Sequence, residues 1–173
     1  LSLVSLFICV LLRLALQRNK PPLILNISSF DHKQVREVSE LHKLCFDEPW
    51  SEQLFTTLLE NPHVCGFLAH TSGNELTGLL LGQITPGEAE IYTLATHPDY
   101  HRQGVASHLI EKLIVGCLPQ SVQRILLEVN ETNLPALKFY EKVGFIAYGR
   151  RKKYYMSSSQ HYNDAILFEL KVK

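Results

Sequence analysis

Read for apolar and polar positions, the chain alternates short aliphatic runs with amphipathic stretches. The run at 23–27 predicts a first strand, and Val35, Val38, Leu41 and Cys45 fall at helical spacing. Ser51 suits the N-cap of a second helix, with Glu52 in its first turn and Asn61-Pro62 as its stop. Residues 64–69 and 76–84 read as hairpin strands around Thr71-Ser72-Gly73-Asn74, and 90–96 as a central strand. Val105, Leu109, Leu113 and Cys117 then recur every fourth residue, flanked by Ala106, Ile110 and Ile114. That pattern predicts a helix with a wide apolar face. Branched aliphatics at 125–129 predict a short buried strand. Asn133 fits the N-cap of a further helix, with Pro135 in its first turn. Ala136, Phe139, Tyr140 and Val143 form its apolar stripe, and Gly144 stands where a terminating glycine belongs. Residues 145–151 and 164–170 supply two closing strands. The order β-α-α-β-β-β-α-β-α-β-β predicts an α/β fold, a mixed sheet with helices on both faces.

Composition narrows the classes. With 173 residues and 46% hydrophobic content, the chain has material for one well-packed core. Its 17 basic and 17 acidic residues cancel, so no global field argues for direct nucleic-acid binding. The run Arg150-Arg151-Lys152-Lys153 is read first as a solvated strand end. An RNA contact, or attraction of an acidic peptide or of phosphates, are its other readings. Cys9, Cys45, Cys65 and Cys117 show no CxxC spacing and are expected as buried free thiols of a reducing compartment. His97 and His101 flank a turn rather than sharing a helix face, so no metal is expected.

The first 22 residues stand apart. Twelve uncharged residues precede Arg13, fewer than the ~20 needed to span a bilayer. The basic leader and small-residue cleavage site of a signal peptide are missing. Residues 1–22 are therefore expected as an apolar extension and a Pro21-Pro22 linker outside a domain at 23–173. A membrane anchor is the lesser reading, and Arg13, Arg18 and Lys20 would then keep the domain on the cytoplasmic side.

Two blocks carry candidate chemistry. In HPDYHRQGVASHLIEKLI (97–114) a strand ends, a polar turn follows, and a helix begins just after Gly104. The open N–H groups and positive dipole end of such a helix form an anion site, so a ligand with a pyrophosphate is expected there. In ILLEVNETNLPALKFYEKVGF (125–145) Glu128 is the lone acid within a run of aliphatics. A charge at a solvated strand end is its bland reading. Tyr140 lies on an apolar stripe, as a core aromatic would, yet its hydroxyl still requires a partner.

The turn resembles the coenzyme-A loop of the GCN5-related N-acetyltransferase (GNAT) superfamily, whose pattern is Gln/Arg-x-x-Gly-x-Gly/Ala. His101, Gly104 and Ala106 take its three places, His101 departing from the usual Gln or Arg. The second block is similar to the superfamily's N-x-x-A-x-x-F/L-Y-x-x-x-G-F helix, and about 30 residues separate the two, as in a strand–helix–strand unit. FDEPWSEQLF (46–55), EAEIYTLATHPDYHRQGVA (88–106), LLEVNETNLPALKFYEKVGF (126–145) and RRKKYY (150–155) resemble the bacterial ribosomal-protein-alanine N-acetyltransferases. Those enzymes acetylate the N-terminal alanine of small-subunit ribosomal protein eighteen.

The resemblance covers residues 23–170 and implies an acyl-CoA N-acyltransferase fold, its central mixed sheet mostly antiparallel. It implies acetyl-CoA as co-substrate, with Glu128 as proton acceptor and Tyr140 as proton donor. The coenzyme would meet Arg102, Gln103, Gly104, Val105, Ala106 and Ser107 in the turn, Asn133 on the helix, and the strand end Leu94-Ala95-Thr96. A backbone N–H of that strand end would serve the oxyanion. Pro49 and Trp50 would wall the acceptor groove, with Tyr154 and Tyr155 opposite. The FDEPW loop is longer than the shortest family versions.

Three functions stand at this point. A protein N-terminal acetyltransferase, with a ribosomal protein as acceptor, is favoured by the Glu128/Tyr140 pair and the double tyrosine. An acetyltransferase for a polyamine, aminoglycoside or amino acid is the second, with Asp47 and Glu48 as its candidate acidic cluster. A non-catalytic acyl-CoA-binding module is the third, and the joint presence of Glu128, Asn133 and Tyr140 argues against it. The expected enzyme is monomeric and cytoplasmic.

Overall fold

A computed structural model of the chain describes residues 23–156 and 162–172. The expected extension at 1–22, with Cys9, lies outside the described residues. The elements follow the order expected from apolar spacing: β1 (Leu25–Ser29), α1 (Val35–Cys45), α2 (Glu52–Leu59), β2 (Val64–Thr71) and β3 (Leu76–Thr85). Then come β4 (Glu88–Thr96), α3 (Val105–Cys117), β5 (Arg124–Asn130), α4 (Leu134–Val143), β6 (Ile146–Met156) and β7 (Tyr162–Lys171). Local chemistry sets the helix ends. Ser51 Oγ accepts the Leu54 N–H at 3.2 Å, and Asn133 Oδ1 accepts the Ala136 N–H at 3.2 Å. At the far end of α4 the Gly144 N–H returns to the Tyr140 and Glu141 carbonyls. β6 runs five residues past the predicted end of its strand at 151, because its pairing with β7 resumes at Tyr155 after a bulge.

The seven strands form one sheet in the order β1-β2-β3-β4-β5-β7-β6. Every neighbouring pair is antiparallel except β4 and β5, which run parallel. Strand alternation sorts the core into two layers. Leu79 and Leu81 of β3 pack with Val38 and Leu41 of α1 and Phe55 of α2. Leu80, Ile125, Leu127 and Val129 pack on the other face with Leu109 and Leu113 of α3 and Tyr140 of α4. The helices thus cover both faces. Cys117 is buried as expected, whereas Cys45 and Cys65 are only partly so.

One irregularity decides where the sheet opens. The β3–β4 register jumps from Leu81↔Thr93 to Gly82↔Ile91, which makes Tyr92 the extra residue of a bulge. Gly82 is what permits it, since a β-carbon there would lie 2.5 Å from the Glu90 carbonyl oxygen. Past the bulge β4 changes parity: Ile91 packs on the α3/α4 side and Ala95 on the α1/α2 side. Pairing of β4 with β5 is confined to Glu88↔Arg124, Ala89↔Ile125 and Glu90↔Leu126. Beyond Glu90 the two strands part, while β5 stays paired with β7 along its whole length. Among the described residues no helix is long and apolar enough to cross a membrane, and no cluster could hold a metal ion.

Candidate active site

The gap between β4 and β5 widens into a cleft of about 920 Å³. Glu128 alternates with the buried Leu127 and Val129, so it projects from the α1/α2 face of β5. Tyr140 comes from α4, on the opposite face. In a continuous sheet these side chains would be separated by a layer of backbone; the parting of β4 and β5 lets both line one cleft. Glu128, Tyr140, Asn133, Leu94, Trp50, Tyr154 and Tyr155 are brought together there.

Glu128 is ion-paired with Arg151, Oε1 to Nη1, at 3.0 Å, and its side chain keeps 20% of its accessible surface. Arg151 also lies over the Tyr154 ring, 4.7 Å from the centroid. The basic run is exposed at all four positions, as a solvated strand end would be, and its two arginines also make ion pairs. Arg151 turns to the cleft, and Arg150 bridges Glu131 at 2.9 Å and Asp164 at 3.1 Å. The reason is the β6 bulge between Arg151 and Tyr155, where Lys153 takes φ +53 and its N–H donates to Asp164 Oδ1 at 2.9 Å. That clamp aims Tyr154 and Tyr155 inward.

Burial, and secondarily Tyr155, hold the Tyr140 phenol well above the ordinary tyrosine range. Tyr140 packs edge-on against Phe145 at 5.4 Å. Tyr155 is pushed up to about 12 by burial, with the Glu128 charge adding to it. Its hydroxyl reaches the Glu128 carbonyl at 3.5 Å. Glu90, absent from the residues singled out in the sequence, also lines the cleft. Burial on its inner side and the neighbouring Glu128 push its carboxyl up from the usual range. Its signal was present: an acid set between Ala89 and Ile91 in the central strand.

Of the two residues expected to wall an acceptor groove, Trp50 lines the cleft, whereas Pro49 is exposed and stands outside the lining. Asp47 and Glu48 line its mouth. His42, also missed, is buried beneath Trp50 at 2% exposure, and burial drops its pKa to about 4. Its place on the apolar stripe of α1, four residues after Val38, hid it among core positions.

Of the strand-end trio, only Leu94 reaches the cleft. Ala95 packs into the α1/α2 core, and the Thr96 carbonyl accepts the His101 Nε2–H at 2.9 Å and the Cys45 S–H at 3.4 Å. In the turn, Arg102 sits at φ +60 and Gly104 at φ +88. The side chains fold back on the turn itself: Gln103 Nε2 donates to the Asp99 carbonyl at 2.9 Å. No side chain caps α3, so its first N–H groups, from Val105, Ala106 and Ser107, have no side-chain acceptor. This differs from α2 and α4, which Ser51 and Asn133 close. An unclosed helix start behind a left-handed glycine fits the phosphates of a coenzyme. Asn133 spends its Oδ1 on the α4 cap, which leaves its amide N–H2 as the donor it offers the cleft.

Residues 35–145 match the acetyltransferase (GNAT) family model. The chain belongs to the acetyltransferase (GNAT) family. It is 28% identical over 146 residues to ribosomal protein bS18-alanine N-acetyltransferase of Escherichia coli, covering 84% of this chain and 97% of that one. It is 30% identical over 138 residues to N-alpha-acetyltransferase RimI of Mycobacterium tuberculosis, covering 76% and 85%. The crystal structure of the ribosomal-protein-S18-alanine N-acetyltransferase from Escherichia coli superposes with TM-score 0.79 at 27% identity, over 87% of this chain and 95% of that one. Spermidine/spermine N-acetyltransferase SpeG from Vibrio cholerae shares the fold, with TM-score 0.69 at 19% identity over 85% and 92%. As a GNAT member the chain is an acetyl-CoA-dependent N-acetyltransferase. Fold alone does not choose its acceptor, since protein and polyamine acetyltransferases share it.

Proposed function

We propose that this GNAT enzyme acetylates the α-amine of a protein N-terminus in the cytoplasm, with the N-terminal alanine of ribosomal protein bS18 as first candidate. The observation that carries the reading is the meeting of Glu128 and Tyr140 in one cleft beneath the aromatic walls Trp50, Tyr154 and Tyr155. Identity of 28% to the Escherichia coli enzyme supports the same acceptor class.

Acetyl-CoA supplies an activated acetyl thioester. The uncapped start of α3 and the turn 102–107 hold its phosphates. Glu128 takes the proton of the attacking amine, directly or through one water; an α-amine of pKa about 7.7–8.0 asks only for a modest base. Tyr140 donates its O–H to the departing sulfur. Because burial holds its proton more tightly, hydrogen bonding to the thiolate is its natural role, not outright proton loss. Backbone N–H groups on the unpaired edge of β4 beyond Glu90 meet the developing negative oxygen.

Asp47 and Glu48 at the cleft mouth favour a second reading, a polycationic small amine. Arg151 weighs against it, since a fixed cation 3.0 Å from the Glu128 carboxylate opposes a second positive charge nearby. A thiol-release assay comparing an Ala-initiated bS18 peptide with spermidine, an aminoglycoside and free amino acids decides. The peptide is expected to give the highest kcat/KM; turnover of the small amines alone overturns the reading.

A further inference from the structure

Among the described residues, His42 is the one buried titratable side chain at the cleft that the chemistry above leaves unused. Its ring makes two hydrogen bonds whose directions fix each other. The Trp50 N–H donates to Nδ1 at 3.1 Å, so Nδ1 carries no proton. Nε2 therefore bears the hydrogen, and it donates to Thr93 Oγ1 at 3.1 Å. The two partners belong to different halves of the site. Trp50 is the acceptor wall in the loop between α1 and α2, and Thr93 is the residue after the bulged Tyr92 on β4.

Other contacts complete the link. Ser39 Oγ–H donates to the Trp50 carbonyl at 3.1 Å, so α1 grips the Trp50 backbone by both its donor and its acceptor. The imidazole stacks on Phe46 at 4.1 Å and on the Trp50 indole at 5.3 Å, with the Phe55 edge at 5.6 Å. An apolar core could fill this space equally well. Only an aromatic ring with an acceptor on one edge and a donor on the other also fixes Trp50 at a set distance from β4.

We propose that His42 is a positioning residue for the acceptor, registering the Trp50 wall against the bulged edge of β4 where the acetyl group is attacked. The inference rests on the acceptor role of Trp50 proposed above. Two donors or two acceptors at this ring would break one of the links, so the neutral tautomer with hydrogen on Nε2 is the form that does the work. Misplacement of a reacting group by about an ångström is enough to cost a large factor in rate, and a loop without this brace moves by that much readily.

The test uses the full chain and its single tryptophan, Trp50, as an intrinsic reporter. His42→Leu removes both hydrogen bonds, and Thr93→Val removes only the β4 link at nearly constant shape. Each is expected to raise the acceptor KM about tenfold while the acetyl-CoA KM stays within about twofold. His42→Leu should also shift Trp50 emission to the red. His42→Gln, whose amide oxygen can take the Trp50 N–H and whose NH2 can reach Thr93, should recover most of the acceptor KM. An unchanged acceptor KM in Thr93→Val, an equal rise in both KM values, or a Gln variant no better than Leu overturns the proposal. Failure of His42→Leu to fold leaves the Thr93→Val and Gln arms to decide. The wild type is assayed first against peptide and small amines, and the best acceptor is used thereafter. Absence of peptide turnover therefore defeats the function proposed above without touching the His42 comparison.

Discussion

β4 and β5 behave as two different structures along their length. At the start they are an ordinary parallel pair of three residues each, Glu88 to Glu90 beside Arg124 to Leu126. There Arg124 bridges strands, with its Nε–H donating to Glu88 at 2.7 Å and Nη1 lying 3.7 Å from Glu169 on β7. Past Glu90 the same strands diverge, and their polar groups turn to a cleft instead of to each other. The change traces to one surplus residue, Tyr92, and to the glycine opposite it. A sheet spends its backbone donors on itself wherever strands pair; an enzyme built on a sheet must stop that pairing where it needs those donors.

The largest effect is expected where the open half does chemistry. Glu128→Gln keeps shape and loses the base, so the rate should fall by ~10²–10⁴ at neutral pH. It should recover in part as pH rises and the amine becomes neutral by itself. Tyr140→Phe should lower kcat and leave coenzyme binding intact, with no comparable recovery at high pH. Wild-type rates in both variants on the best acceptor would assign the acceleration to positioning instead.

The next effect concerns what holds the open half together. His42 is neutral in the folded protein down to about pH 4, whereas an unfolded histidine titrates near 6.5. Between those values the unfolded chain binds more protons, so stability rises with pH across that window and falls on acidification. The span corresponds to a contribution on the order of 3 kcal/mol. Urea melts at pH 4.5 and 7 should show it, and His42→Gln should flatten the difference. An equal pH slope in wild type and variant would place the proton uptake elsewhere.

How much of this contrast is legible in the sequence follows from what each half uses. Helices announced themselves because apolar spacing and caps are local: Ser51, Asn133 and Gly144 stand where the pattern put them. Glu128 and Tyr140 were legible as a motif, and both reach the cleft. The bulge was not. Ile91 and Ala95 share sequence parity, and nothing in the run EIYTLAT reveals that they face opposite sides. That depends on Gly82, eight residues before Glu90 and on another strand. For the same reason the Ala95 side chain faces the α1/α2 core and the Thr96 carbonyl faces the turn, which leaves the backbone N–H groups of this strand end as what it would offer the coenzyme. Arg151 was visible as part of a basic run, but its direction toward Glu128 is set by the β6 bulge and could not be read from that run.

Gly82→Ala addresses the origin of the divergence. Its β-carbon would lie 2.5 Å from the Glu90 carbonyl oxygen, a backbone atom with little room to retreat. Relief requires β3 and β4 to separate or the bulge to straighten. Overpacking of this kind costs about 2 kcal/mol, visible as a lower denaturation midpoint. Straightening β4 would also extend its pairing with β5 into the cleft, so the rate should fall by more than the loss of folded protein explains. A destabilised variant with an unchanged kcat would separate the bulge from catalysis.

The smallest effect is expected at the paired end, and it is the control for all the others. Glu88→Gln makes the same chemical change as Glu128→Gln, one carboxylate to one amide, on a neighbouring strand. Its partner Arg124 is an exposed surface residue that keeps a second carboxylate, Glu169, within 3.7 Å. Solvent-exposed ion pairs of this kind contribute little to stability, because water and salt already screen the charges. The Glu88 charge touches the cleft as the smallest of the influences on the Glu90 carboxyl, and its backbone is tied into the ladder opposite Arg124 and Thr85. The expected result is a kcat within about twofold of wild type and a denaturation curve superimposable on it at moderate salt. A loss of rate at Glu88 approaching that at Glu128 would mean that the two halves of the pair are not independent, and that charge anywhere along β4 governs the cleft.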